Sequence, residues 1–307
     1  MLKTIKKQGN LFLFAKLILF AGVLYLLYRQ VSGFDQKAWN SFALVNFGSL
    51  FLAIVLVFPN IWLAYKKWDV TLRSLEIKTT QRIKTQSFFA GIVTGLVTPN
   101  MLGNFLGRFY YFDKEYRGII TAFTMLSNFG QFLASMTFGA VSIFLLGELL
   151  VWKEADQVVY ILLFGIVISY LIYFFIDNFL GRFKQFRFAG EFRRLLKKFR
   201  WFRTSILFLS FARFVIFTLQ FSLMLNAFGV NWNFYLIAAI WQVYLLTMIA
   251  PSLFLGKVGI KESIALFVLS ELGLNEVSIL FSTTLIWFLN TVSPGLVGLI
   301  ICRNRAE

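Results

Sequence analysis

The chain has 307 residues, 59% of them hydrophobic and only 14% charged, with a mean hydropathy of +0.74; a soluble domain carries about 25% charged residues, so lipid rather than water is its main solvent. Lysine and arginine number 30 against 14 acids, an excess that would suggest nucleic acid in a soluble protein but here falls mostly in loops between apolar runs, the positive-inside pattern. Histidine is absent and Cys302 is the only cysteine, which excludes an internal disulfide and a thiolate metal cluster and weighs against hydrolases built on Ser/His or Cys/His pairs.

A spanning helix takes about 20 apolar residues. The first such run, 11–28, is longer than a signal-peptide core and ends in Tyr28-Arg29 instead of a small-residue cleavage site, so it reads as a retained helix. Lys16 within it snorkels toward the membrane surface. Further runs follow at 42–65, 119–147, 158–177, 204–228, 232–250 and 276–301. Two shorter apolar stretches are broken. Ser87 to Thr98 stops at Pro99, and Ile260 to Leu272 follows Pro251 and two glycines, so both read as half-helices. No long polar linker divides the chain. The sequence predicts an all-α polytopic integral membrane helix bundle, a single domain over 1–307. It has about seven to eight spanning helices, one or two re-entrant broken helices, and an inverted repeat as a natural arrangement of the two broken segments.

Loop charges set the expected orientation. Lys3, Lys6 and Lys7 precede the first run; Lys66, Lys67, Arg73, Lys78, Arg82 and Lys84 follow the second; nine cations lie between Arg182 and Arg203. All are assigned to the cytoplasm. Residues 148–157 are net acidic through Glu148, Glu154 and Asp156, and 229–233 are uncharged, so both are assigned outside. The alternation closes only if Ser87 to Arg117 enters from the cytoplasm and returns there. The N- and C-termini are then cytoplasmic, whether 232–272 makes two crossings or dips in and returns; parity does not separate these. The Arg182–Arg203 stretch interleaves Phe183, Phe186, Phe188, Phe192, Leu195, Leu196, Phe199 and Trp201 with its cations. It reads either as a plain positive-inside loop or as an amphipathic helix on an anionic leaflet.

The two broken segments resemble each other. Thr98 to Arg108 and Ala250 to Glu262 share a proline (Pro99, Pro251), a small polar residue, spaced glycines (Gly103 and Gly107; Gly256 and Gly259) and basic residues (Arg108; Lys257 and Lys261). Irregular backbone at membrane depth survives only where it lines a cavity or is buried in protein, and half-helix N-termini suit a phosphate or carboxylate. Pro and Gly also kink ordinary packed helices. Arg213 lies mid-way along 204–228, where insertion scales charge about 2.5 to 3.5 kcal/mol for an ion. Ser210 and Gln220 share nearly its face, while Thr124, Asn128, Gln131 and Ser135 form a polar stripe on another helix, together suggesting a polar interior path. The expected partner of Arg213 is Glu262 or Asp177 in an ion pair, or else a lipid phosphate.

These segments resemble the signatures of the lysylphosphatidylglycerol synthase transmembrane-region family, the membrane part of lysyl-lipid synthase/flippases. Members read Pro-x-x-x-Gly-Glu followed shortly by Arg, then Gly-x-Gly-(Val/Ile)-(Arg/Lys)-Glu. Here the counterparts are Pro99 to Arg108 and Gly256-Lys257-Val258-Gly259-Ile260-Lys261-Glu262. The order of helices and the final helix with Asn290 and Pro294 are also similar. Asn104 stands where the family has glutamate, which implies a different lipid or another counter-ion. In the family, synthase activity belongs to a separate soluble aminoacyl-transferase domain, which this sequence lacks.

The resemblance implies a lipid translocase or lipid-binding protein of the cytoplasmic membrane, acting on an anionic phospholipid or polyprenyl-linked headgroup, with no cofactor, no metal and no nucleic acid. Its lipid-binding residues would be Pro99, Gly103, Asn104, Arg108, Arg213, Pro251, Lys257, Gly259, Lys261 and Glu262, with Glu262 balancing the cations between substrates. A membrane-embedded transferase would need a carboxylate base, for which Asp113, Glu115 and Glu262 are the nearest acids, and Asp113-x-Glu115 reads as an exposed turn. A non-catalytic scaffold for a partner enzyme is the third reading, served by the aromatic content of 19%.

Overall fold

The computed structural model describes residues 25, 28, 32, 36–96, 98, 103–146, 156–180, 187–250 and 259–303. The first apolar run with Lys16 falls almost wholly outside these residues, and Pro99, Pro251 and Lys257 fall outside them entirely. The described chain is helical throughout its regular structure: α1 (Gln36–Asn40), α2 (Phe47–Val55), α3 (Val57–Ser74), α4 (Gln81–Leu96), α5 (Gly103–Phe109), α6 (Arg117–Leu146), α7 (Asp156–Leu180), α8 (Arg187–Lys198), α9 (Trp201–Ala227), α10 (Phe234–Ile249), α11 (Ile260–Ser270), α12 (Glu276–Trp287) and α13 (Ser293–Arg303).

Among the described residues, five helical stretches are long and apolar enough to cross a membrane: Phe47–Ser74, Lys114–Leu146, Val159–Ile176, Trp201–Ala227 and Glu276–Cys302. The expected run 232–250 forms α10, a shorter apolar helix. Proline explains the two irregularities within these spans. Pro59 cannot donate to the Val55 carbonyl, and the helix breaks at Leu56, between α2 and α3. Pro294 cannot donate to the Asn290 carbonyl, and the helix widens into a π-turn over Phe288–Val292 before α13.

The expected second span ends too early. Instead of passing into a loop after residue 65, α3 runs on to Ser74. Lys66, Lys67 and Arg73 therefore sit on a helix, and Lys67 points into the bundle with 5% exposure.

At the first broken segment the chain reverses between α4 and α5. Gly103 packs on the Thr94 carbonyl and Gly107 on that of Ala90, so α5 runs back along α4. Two small-residue faces, Gly91/Gly95 and Gly103/Gly107, let the backbones approach this closely. Thr94 Oγ1 donates to the Gly103 carbonyl at 2.5 Å, and Gly103 N–H donates to Thr98 Oγ1 at 2.6 Å. A methyl at Gly107 would run into the Ala90 carbonyl and Thr94 Oγ1. Gly107→Ala is therefore expected to cost about 1 to 3 kcal/mol through overpacking and to displace the neighbouring Arg108. Thermal unfolding of the purified protein checks this, with Gly165→Ala, where a methyl meets nothing, as a control that should lose no stability.

A second hairpin forms at the other break. Lys261, at the start of α11, lies over Tyr244 near the end of α10. Ser278 at the start of α12 donates to the Phe228 carbonyl beside the C-terminal end of α9, near which α10 begins. So α11 runs back along α10. Its eleven residues span only about 17 Å, roughly half the hydrocarbon core.

The basic stretch after α7 folds as α8. Its apolar face is not offered to lipid: Phe192, Leu195 and Leu196 are buried in the protein core, with Phe192 against Phe123 at 5.3 Å between ring centroids. Arg194, Lys197 and Lys198 remain exposed, and Lys198 pairs with Glu76 after α3.

Candidate functional site: a buried cation cluster

Three cations from three helices face the bundle interior, two of them buried and Arg213 half-buried. Lys67 on α3 is 5% exposed and donates to the Ser127 carbonyl of α6 at 3.0 Å. Arg108 on α5 is 7% exposed, its guanidinium 4.8 Å from the Trp68 ring and 5.9 Å from Phe88. Arg213 on α9 donates from Nε to Asn60 Oδ1 at 2.7 Å and lies 4.9 Å from the Phe217 ring. Lys67 feels the charge of both arginines, and Arg108 that of Arg213. Among the described residues no carboxylate pairs with any of the three. Arg108 Nε and Asn104 Oδ1, one turn earlier on α5, are buried without hydrogen-bond partners among the described residues. Such a concentration of unbalanced positive charge in a low-dielectric interior is costly unless an anion completes it.

Arg213 is held by a chain of amides. Asn60 Nδ2 donates to Asn290 Oδ1 at 2.5 Å, Asn290 Nδ2 to Gln220 Oε1 at 2.6 Å, and Gln220 Nε2 to the Ala53 carbonyl at 2.9 Å. The π-turn carries Asn290, and it thus ties the last spanning helix to the arginine.

The ion pair expected between Arg213 and Glu262 does not form. Glu262, 1% exposed, accepts the Gly259 N–H at 2.7 Å and caps its own helix. Gly259 has φ +82°, a conformation that favours glycine. The α11 N-terminus, expected to greet a ligand anion, is thus occupied by the protein's own carboxylate. Glu262→Ala should cost about 0.5 to 2 kcal/mol of stability as a lost cap, with Glu262→Gln intermediate, while lipid handling per folded molecule stays near wild type. Abolished lipid handling at unchanged thermal stability would instead return Glu262 to the ligand.

Lys261 lies 5.3 Å from the Phe221 ring and 5.1 Å from that of Tyr244. Residues 213, 217 and 221 share one face of α9, and eight residues of helix amount to about 12 Å. A stripe of cation and aromatic groups therefore leads from the Arg108–Lys67–Arg213 cluster at the first hairpin to Lys261 at the second.

The structure thus unites Arg108, Asn104 and Arg213 of the expected site and adds Lys67, Asn60 and Asn290 to it. Gly259, Lys261 and Glu262 form a separate group. The polar stripe on α6 is partly altered: Thr124, Gln131 and Ser135 are buried, but Asn128 is exposed, and the inward residue is Ser127. Asp113 and Glu115 are exposed in a turn before α6, as expected. A surface groove lined by Gln81, Arg82, Thr85, Gln86 and Ile301 opens between α4 and α13; its residues on α4 lie about 8 to 15 Å along the helix from Gly91, against which Arg108 packs, and none of them belongs to the cluster.

An all-helical bundle with, among the described residues, five helices long and apolar enough to span, two hairpins broken within it and cations turned inward beside one of them defines a multi-pass membrane protein built around a charged interior. The chain matches the lysylphosphatidylglycerol synthase TM region family over residues 13–298 and belongs to that family. No curated protein and no solved structure matches it.

Proposed function

We propose that this protein takes the anionic headgroup of a membrane lipid, a phospholipid or polyprenyl-linked lipid, into its bundle and carries it between leaflets of the cytoplasmic membrane without changing it covalently. The observation that supports this reading most is the cluster of buried Lys67 and Arg108 with half-buried Arg213, which lacks a carboxylate partner among the described residues. A lipid phosphate supplies the missing charge, and the arginines hold it by charge-assisted hydrogen bonds. The stripe on α9 from Arg213 to Lys261 offers a second cationic station further along the path. In this reading the basic ends of α3, α4 and α9 face the cytoplasm, the first hairpin enters from there and the second from the opposite side.

The experiment is leaflet distribution of a labelled anionic lipid in vesicles with and without the purified protein. Faster equilibration with the protein is expected, lost on Arg108→Met. Equal rates with and without it, at verified orientation and folding, would exclude transport and leave a lipid-binding or scaffold role.

A further inference from the structure

We infer that the headgroup held by the Lys67–Arg108–Arg213 cluster ends in an unsubstituted phosphate, as in a phosphomonoester or diphosphate lipid, and is not a phosphodiester or a cationic head. This rests on the lipid-handling role proposed above.

Charge is the first argument. Arg108 lies over Trp68, the neighbour of Lys67 on α3, and Arg213 is anchored on Asn60 of the same helix; among the described residues none of the three has an acid to balance it. A phosphodiester brings one negative charge and leaves the interior strongly positive. A terminal phosphate brings about −1.5 to −2 at neutral pH and a diphosphate more, which balances most of the cluster.

Donor geometry is the second. A phosphodiester has two free oxygens, whereas a terminal phosphate has three strong acceptors, and the cluster has three separate donors. The Lys67 ammonium gives the Ser127 carbonyl one bond and keeps two N–H groups. Arg108 lies over the Trp68 and Phe88 rings, and its Nε is buried and without a partner among the described residues. Arg213 is steadied through Nε by Asn60, leaving its two terminal nitrogens for an oxygen pair.

The third argument is what stands beside Arg108. Asn104, four residues earlier on the same short helix, carries no charge. A headgroup bearing an amine would need a carboxylate there to offset its own cation in the interior.

The test uses the full chain reconstituted in vesicles, with phosphatidic acid, an isoprenoid monophosphate, phosphatidylglycerol and phosphatidylethanolamine as labelled tracers and glycerol 3-phosphate as a soluble competitor. Both terminal-phosphate lipids should change leaflets about tenfold or more faster than the two phosphodiesters, as expected for one additional charge-assisted hydrogen bond. Asn104→Glu, which sets a carboxylate next to Arg108, should erase that preference, while the neutral Asn104→Gln should keep it. Equal rates for phosphatidic acid and phosphatidylglycerol would overturn this inference and leave lipid transport standing. Movement of no lipid would overturn both. Binding of glycerol 3-phosphate without lipid movement would assign the cluster to a free phosphoanion and overturn the lipid source.

Discussion

Replacing Lys67 or Arg108 by methionine is expected to reduce lipid movement about 10- to 150-fold each, the equivalent of one charge-assisted hydrogen bond to phosphate of about 1.5 to 3 kcal/mol, while leaving the folded protein as stable as before or more so. The two parts of the prediction belong together. Removing one member of a buried ion pair costs about 3 to 5 kcal/mol because the other is left uncompensated. Lys67 and Arg108 have no such partner among the described residues; their neighbours in charge are each other and Arg213. Taking one cation away therefore relieves repulsion in a medium that screens it poorly. Methionine keeps most of the side-chain volume, and at position 108 its sulfur still meets the Trp68 and Phe88 rings. Thermal unfolding in detergent and lipid movement in vesicles, both normalised to folded protein, separate the readings. A large stability loss would mean the cations are structural, and wild-type lipid movement in both variants would remove the site.

Arg213→Ala should be the most damaging single change, about 100-fold or more in lipid movement, with Arg213→Lys recovering part of it. The planar fork lets Arg213 donate from Nε to Asn60 at 2.7 Å while two nitrogens remain for an anion; lysine keeps the charge but neither the fork nor the anchoring bond. Asn60→Asp gives an independent check. A carboxylate at 2.7 Å from Nε would convert a neutral anchor into a buried ion pair, so stability should hold or rise. Lipid movement should fall nearly as far as in Arg213→Ala, since the arginine is now neutralised from within. If Asn60→Asp moves lipid like wild type, the charge of Arg213 is not what the ligand uses. Loss of stability in Asn60→Asp would show that the amide chain through Asn290 and Gln220 matters more than the arginine.

Hydropathy and proline placement are local properties, and so the bundle, both broken segments and the exposed Asp113–Glu115 turn were legible in the sequence. Arg108 and Arg213 were legible as well, one as the basic residue of a broken segment, the other as a cation in an apolar helix where burial is costly. The capping role of Glu262 left a readable signal in Gly259-x-x-Glu262, the spacing at which a third-position glutamate reaches back to the N-cap N–H, but a distant arginine was the more obvious partner for a buried acid. Lys67 could not be read this way. A lysine at the end of an apolar run looks like the start of a cytoplasmic loop, and only the packing of α6 and α9 against α3 decides that it is buried facing the Ser127 carbonyl. The amide chain Asn60–Asn290–Gln220 joins helices far apart in the chain, and asparagine in an apolar helix has no period or spacing that names its partner. The sequence by itself determined which segments enter the membrane, because the transfer free energy of each depends on its own residues. Which cations meet and which acid is withheld from them only the tertiary structure decided, because those depend on distances between helices that no local pattern encodes.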